Sequence, residues 1–374
     1  MNSYILGVEI GGTKLQLAIG GADGVPLYIA QGRVNAGEGA QGILRWLEGN
    51  VPGVIAKARE FSGEIAGIGV GFGGPVETAA GRVMVSNQIG GWSGFELKDW
   101  FQRKFCLPAS VFNDSNAACW GEYKCGFGAG TKNFCYMNIG SGIGGGLVLG
   151  GALYDGQGFG AAEFGHTYVP DWTPAYSDKE AEVRSKTTAG NNGEIKIADY
   201  ESAGFINTGC ANAVSDCDLD ITIPSKYFPV RAIKLELICS GWSIEKRLRH
   251  PGYVPPDSAL IKLCGGDIAR ITCGMLGATA EGGDSFALSE IDRVARSIAI
   301  ALANVLCIAS PERIAMGGGV MNLGETLLSP IRRHLKEYEF ISNSGTYLIE
   351  KCKLDESIVL SGAILLHAET IKRL

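Results

Sequence analysis

The chain has 374 residues, of which 46% are hydrophobic and 19% charged, and its formal net charge is −6. This length exceeds one ordinary hydrophobic core and predicts two domains, while the acidic balance, without a clustered basic excess, argues against a nucleic-acid partner. No uncharged apolar run is long enough to span a membrane, so we expect a soluble cytoplasmic protein whose 11 cysteines are reduced.

The first predicted unit is a hairpin over residues 7–21, "GVEIGGTKLQLAIGG". The stretch reads as an apolar strand, a glycine turn and a strand of alternating apolar residues, a pattern that is typical of a β-hairpin. The remaining elements of the first half follow in chain order: a strand near 26–34, a helix over 41–61, a strand over 65–72, a turn at 73–75, a helix over 95–105 and a strand over 109–113.

The stretch "NIGSGIGGGLVLGG", residues 138–151, repeats the unit found at 7–21. Its glycines fit the dinucleotide pattern G-x-G-x-x-G, but a second strand follows them where that site requires a helix. Repetition of the hairpin predicts two related halves. The later elements are an irregular segment over 167–233, a helix over 267–280, a helix over 289–309, a strand and turn over 313–320 and a helix from about 322.

The two glycine turns are candidate phosphate sites, because concave arrays of backbone N–H groups bind anions. The residues expected to hold phosphates are Gly11, Gly12, Thr13, Gly140, Ser141 and Gly142. Lys14 would offset phosphate charge or, alternatively, is a solvated hairpin lysine. The alternative for both turns is a pair of tight hairpins without a ligand.

Seven short segments carry a family resemblance. In chain order they are "GVEIGGTK", "GVGFGGPVE", "VFNDSNAA", "NIGSGIGGGLVLGGAL", "AAEFGH", "SGWSIEKRL" and "PERIAMGGGV". Each alone is a weak signal, but their ordered combination resembles the ROK family of sugar kinases, within the superfamily of sugar kinases, heat-shock protein 70 and actin. The resemblance runs over most of the chain.

The resemblance implies an α/β fold of two duplicated actin-like ATPase (ribonuclease H-like) domains with mixed sheets. We expect an N-terminal domain over 1–115 and a C-terminal domain over 116–359, with an insertion at about 167–233. A C-terminal helix at about 360–374 would pack back on the first domain. Ligands are expected in the cleft between the two domains.

The resemblance also implies ATP-dependent phosphorylation of a hexose. Asp114 would be the general base, although an aspartate between a strand and a helix is also a good N-cap. Glu9 stands where the family more often has aspartate and would reach Mg²⁺ directly or through water. Gly317 and Gly318 would flank adenosine or, alternatively, permit close strand–helix packing. The positions that correspond to sugar contacts are Asn87, Asn113, Asp114, Glu163, His166 and Glu236.

The chain departs from the family in its zinc motif. Most ROK proteins follow the histidine with a CxCGxxGC cluster that completes a tetrahedral zinc site, and none follows His166, with Lys234 in place of the last cysteine. Cys210 and Cys217 could join His166 at a metal ion, but their irregular spacing argues against it. We therefore expect no structural zinc.

The resemblance leaves alternatives open for function. Glucose, phosphorylated at O6, is the first expected acceptor, followed by fructose and N-acetylhexosamines. Some ROK proteins are sugar-responsive repressors with an N-terminal helix-turn-helix, but the first strand begins by about Tyr4 and leaves no room for that extension. The remaining alternative is a non-catalytic sugar-binding protein on the same fold. A homodimer is compatible with the family.

Overall fold

The computed structural model describes residues 2–86, 89–172, 221–223 and 230–372. The elements of the first half are β1 (Asn2–Ile10), β2 (Lys14–Gly20), β3 (Pro26–Arg33), α1 (Gly39–Lys57), β4 (Gly63–Phe72), β5 (Val76–Glu77), β6 (Arg82–Val83), α2 (Leu97–Phe105) and β7 (Ala109–Asn113). The elements after them are α3 (Asp114–Cys125), β8 (Phe134–Ile139), β9 (Ile143–Leu149), β10 (Ala152–Tyr154), β11 (Tyr168–Pro170), β12 (Ile221–Ile223), β13 (Val230–Lys234), α4 (Glu236–Cys239), α5 (Gly241–Leu248), α6 (Ala259–Leu263), α7 (Cys273–Glu281), α8 (Ser285–Ala309), β14 (Arg313–Gly317), α9 (Glu325–Tyr338), β15 (Leu348–Lys351) and α10 (Ile358–Lys372).

Two five-stranded sheets in the described part of the chain share one topology. Their strand orders are β3-β2-β1-β4-β7 and β10-β9-β8-β14-β15. In each sheet three consecutive strands form an antiparallel meander, and two more strands add in parallel beside the first strand of that meander. The repeated hairpin therefore marks a repeated fold, and the predicted α/β class with duplicated, mixed sheets is confirmed.

The central strand β1 is buried on both faces from Ile5 to Ile10, and Glu9 is the one charged residue in that otherwise apolar stretch. Leu6, Val8 and Ile10 belong to the core that includes the apolar side chains of α1 and α2. Ile5 belongs to a smaller cluster with Leu360 and other residues of α10. The first sheet is thus covered by helices from both the beginning and the end of the chain.

Glycines allow α10 to lie very close to the first sheet and to α3. A Cβ atom built on Gly69 of β4 would lie 2.1 Å from the carbonyl oxygen of Ala363, and one on Gly362 would lie 1.6 Å from that of Ala117. Any larger residue at either position would separate the elements. The C-terminal helix packs against β1, β4 and α3, while the domain limits given above stay a prediction.

Several helix boundaries differ from those read off the sequence. The helix expected from 267 begins at Cys273, because the Thr272 side chain accepts the N–H of Met275 as its N-cap. Asp284 likewise caps α8, which begins four residues before the predicted start. α9 begins at Glu325 instead of about 322, after a 3₁₀ turn. Of the insertion, 173–220 and 224–229 lie outside the described residues.

Candidate active site

A cavity of about 1390 Å³ is lined by residues from the turns of both five-stranded sheets. Residues from both glycine turns, from the start of α3 and from the segment before α10 line its wall. The predicted site residues along this wall are Glu9, Gly11, Gly12, Thr13, Lys14, Asn113, Asp114, Gly140, Ser141, Gly142, Glu163, His166, Glu236 and Gly318. Asn87, predicted as a sugar contact, lies outside the described residues.

Asp114 is the first residue of α3, directly after β7. Asn113 is the N-cap, since its side-chain oxygen accepts the N–H of Asn116 at 3.0 Å, so Asp114 does not hold the capping position. The Asp114 carboxylate accepts the N–H of Ser115 at 2.7 Å. Burial raises the pKa of Asp114 to about 6, with hydrogen bonds from Ser115 opposing the shift. A carboxyl with such a pKa suits a general base near neutral pH.

Glycines next to the start of α3 lie very close to Asp114 and Ser115. A Cβ atom built on Gly73 would lie 3.4 Å from Asp114 Oδ2 and 3.5 Å from the Cα of Gly11. A Cβ atom on Gly144, in β9 just after the second glycine turn, would lie 2.7 Å from Ser115 Oγ. The start of α3 is therefore close to the strand that follows the second turn, and Gly73 lies between Asp114 and Gly11 of the first turn.

Not every amide of the turns faces the cavity as a free donor. The N–H of Gly11 donates to the carbonyl of Lys14 at 3.0 Å, and that of Gly140 donates to the carbonyl of Gly142 at 2.9 Å. These two bonds close the turns themselves. Gly11 and Gly140 therefore shape the turns, and the neighbouring amides are the candidates for a ligand.

Glu9 and Lys14 form an ion pair at the cavity wall. Lys14 Nζ lies 3.4 Å from Glu9 Oε2, an oxygen that is buried and makes no hydrogen bond to another described residue. Lys14 also donates to Glu356 Oε2 at 2.8 Å, which joins β2 to the segment before α10. Burial raises the pKa of Glu9 to about 7, Lys14 opposes that shift, and Asp114 adds to it. Glu9 therefore lies within electrostatic range of Asp114.

Two glutamates and a histidine predicted as sugar contacts line the same cavity. Glu163 and His166 come from the 3₁₀ turn 164–166 and its N-cap, and Glu236 begins α4. Burial raises the pKa of Glu163, with His166 lowering and Glu236 raising it, so the three groups lie within electrostatic range. Glu236 Oε2 also accepts the N–H of Ile143 at 2.9 Å. One carboxylate therefore links this cluster to the second glycine turn.

The sequence matches the ROK family over residues 5–193 and 231–370, most of the chain. The chain belongs to the ROK family. The glucokinase of Halalkalibacterium halodurans is 26% identical, over 98% of this chain and 96% of its own. The xylose repressor of Caldicellulosiruptor bescii is 24% identical, over 96% of this chain and 77% of its own. A crystal structure of a ROK family glucokinase from Streptomyces griseus, in complex with glucose and AMPPNP, has the same fold, with a TM-score of 0.70 at 24% identity over 97% of this chain and 98% of that chain.

The part of this ROK chain that the structure describes contains no cluster of three or more histidine, cysteine or acidic side chains placed to hold a metal ion. Cys210 and Cys217, weighed above as ligands with His166, lie outside that part. Among the described helices, none combines the length and apolar character needed to cross a bilayer.

Some residues that line this cavity were not predicted from the sequence, and one predicted residue, Gly317, does not line it. Gly317 is buried at the end of β14, where a Cβ atom would lie 2.4 Å from the hydroxyl of Tyr136, so its glycine serves packing. Gly318 and Gly319 line the cavity instead, as does Trp242. Glu356 could have been suspected only as an acidic residue before an apolar helix, since it lies 342 positions from its partner Lys14.

Proposed function

We propose that this chain is an ATP-dependent hexose kinase that transfers the γ-phosphoryl group of MgATP to a sugar hydroxyl, with glucose O6 the first candidate acceptor. The observation that carries the proposal is that Asp114, both glycine turns and a polar cluster line one cavity. Phosphoryl transfer needs an activated alcohol and fixed phosphates in one crevice. The residues along this cavity have the chemistry to serve both needs.

Asp114 would act as the general base. A sugar hydroxyl is a weak nucleophile, and a positioned carboxylate that accepts its proton contributes about 10²- to 10⁴-fold. The raised pKa of Asp114 makes the carboxylate a stronger proton acceptor while it stays ionised above about pH 6. The hydrogen bond from the N–H of Ser115 holds one oxygen, which leaves Oδ2 for the alcohol.

The sugar would bind against Asn113, Glu163, His166 and Glu236. Carboxylates and amides accept hydrogen bonds from neighbouring hydroxyls in defined directions. Asn113 is held in place because its amide donates to the carbonyl of Gly74 at 3.1 Å and its oxygen caps α3. The choice among glucose, fructose and N-acetylhexosamines rests on the family resemblance and on the glucokinase relatives.

The donor phosphates would lie between the turns, with the amides of Gly12, Thr13, Ser141 and Gly142 as candidate donors. The residues around Glu9 fit a magnesium ion, because a buried carboxylate oxygen without a hydrogen-bond partner is a ligand type that Mg²⁺ prefers. Bound there with the nucleotide, Mg²⁺ would neutralise charge on the β- and γ-phosphate oxygens. Lys14 adds a positive charge at the same wall.

A coupled assay of ADP release with MgATP and a panel of hexoses tests the proposal. We expect turnover with at least one hexose, and a loss of about 10²- to 10⁴-fold in kcat for Asp114→Asn, with hexose affinity by calorimetry nearly unchanged. Asp23→Asn, a change of the same type at an exposed turn, is the matched control and should retain full activity. Equal turnover in the Asp114 variant would remove this residue from the mechanism.

A second candidate is a sugar-responsive protein without kinase activity. The observation that supports this second candidate is the similarity to the xylose repressor of Caldicellulosiruptor bescii over 96% of this chain. Sugar binding without ADP release from any hexose in the panel would support this second candidate over the kinase.

A further inference from the structure

Trp242 is a large aromatic side chain that lies on the cavity wall but in no described core cluster. Its ring is 51% exposed, whereas Trp92 in the first core is 1% exposed. Trp242 is the second residue of α5 and contributes to the same cavity as the glycine turns. An exposed tryptophan inside a ligand cavity has a flat apolar surface available for stacking.

The backbone contacts of Gly241 fix where this tryptophan lies along the cavity. The N–H of Gly241 donates to the carbonyl of Gly140 at 2.8 Å. A Cβ atom on Gly241 would lie 3.3 Å from a methyl of Val320. Trp242 therefore follows directly on a contact with both the second glycine turn and the turn after β14, whose residues Gly318 and Gly319 also line the cavity.

Lys246, one helical turn further along α5, covers the tryptophan ring. Its Nζ lies 4.7 Å from the ring centroid, which is cation–π distance. This contact restricts the ring and places a positive charge beside it. The pair therefore combines an oriented aromatic face with a charge that attracts a polyanion.

We propose that Trp242, positioned by Lys246, is the stacking surface for the purine base of the phosphoryl donor. The inference rests on the proposed function, because it takes the phosphates to lie between the glycine turns. Because α5 adjoins Gly140 and the turn after β14 lines the same cavity, a nucleotide with its phosphates at Ser141 and Gly142 would reach Trp242 by extending its base past Gly140. Stacking of a base on an aromatic side chain contributes about 1–3 kcal/mol, or about 5- to 150-fold in affinity.

The test compares a donor with a base against one without. Calorimetry of the full chain with Mg²⁺ would measure binding of ADP and of inorganic tripolyphosphate to Trp242→Ala, Trp242→Phe and the wild type. We expect Trp242→Ala to weaken ADP binding about 5- to 150-fold, to leave tripolyphosphate binding within about twofold, and Trp242→Phe to retain most of the ADP affinity. Phe340→Ala, which removes an exposed aromatic outside the cavity lining, should bind both as the wild type does.

The outcomes separate this inference from the proposed function. Unchanged ADP affinity in Trp242→Ala would overturn the stacking role, and so would an equal loss for ADP and tripolyphosphate, which would indicate a damaged phosphate turn. A selective loss of hexose affinity would make Trp242 a sugar contact instead. A wild type that binds ADP through Trp242 but phosphorylates no hexose would sustain the stacking role while overturning the kinase.

Discussion

Glu122 is the buried acidic residue whose replacement tests how α3 is tied to the end of the chain. Its side chain is 0% exposed. Glu122 Oε1 accepts the N–H groups of Phe127 at 2.8 Å and Lys353 at 2.7 Å, and Oε2 accepts that of Leu354 at 3.1 Å. One carboxylate thus joins the helix that begins with Asp114 to the segment that leads into α10.

The substitution Glu122→Gln is expected to lower the free energy of unfolding by about 3 kcal/mol. A glutamine oxygen in the place of Oε1 keeps two hydrogen bonds, but each loses the strength of a charged acceptor. The glutamine NH₂ group then faces the N–H of Leu354, donor against donor. An unpaired buried N–H by itself costs about 1–3 kcal/mol, so this third contact carries much of the loss.

The matched control is Glu312→Gln. Glu312 Oε1 accepts the N–H groups of Lys132 at 2.7 Å and Asn133 at 2.9 Å, but this side chain is exposed. Glutamine can keep both bonds there and turn its NH₂ group to water. We expect a loss below about 1 kcal/mol.

Urea unfolding and amide hydrogen exchange measure the difference. The urea midpoint of Glu122→Gln should fall clearly below that of Glu312→Gln. The amides of Lys353 and Leu354 should exchange up to about 100-fold faster in the Glu122 variant, as about 3 kcal/mol of local stability allows. Equal midpoints for the two variants, with slow exchange at 353 and 354, would refute the reasoning.

Three further predictions follow from single side chains. Because the pKa of Asp114 is raised to about 6, kcat/KM should fall as the pH drops through that value. A pH–rate profile measures this fall, and a flat profile from pH 5 to 8 would contradict it. Burial lowers the pKa of His367 to about 4, so between about pH 4 and 6.5 the unfolded chain binds more protons than the folded chain and wild-type stability should fall on acidification. Urea midpoints for the variant His367→Gln should depend less steeply on pH in that range. The Asp155 carboxylate accepts hydrogen bonds from the Asn116 amide at 2.7 Å and from the Thr78 hydroxyl at 2.8 Å, so Asp155→Ala should lower the free energy of unfolding by about 2–4 kcal/mol and Asp155→Asn by clearly less. Equal urea midpoints for the two variants would contradict this ranking.

The amino-acid sequence by itself determined the local elements and their repetition. An apolar strand, a glycine turn and an alternating strand identify the hairpins β1–β2 and β8–β9, because apolar pattern and backbone freedom are local properties. The strand that ends at Asn113 placed Asp114 at the start of a helix. These local features predicted the repeated hairpin and the candidate phosphate turns, whereas the roles of Asp114, Glu163, His166 and Glu236 came from the family resemblance.

Only the tertiary structure decided which distant groups meet. The pairs Lys14 with Glu356 and Glu122 with Lys353 join parts of the chain more than 200 residues apart, and no local pattern relates them. Exposure of Trp242 to the cavity likewise depends on how the elements pack together. Local preferences fix which segments form strands and helices, whereas burial, charge pairing and donor partners are set by packing between segments.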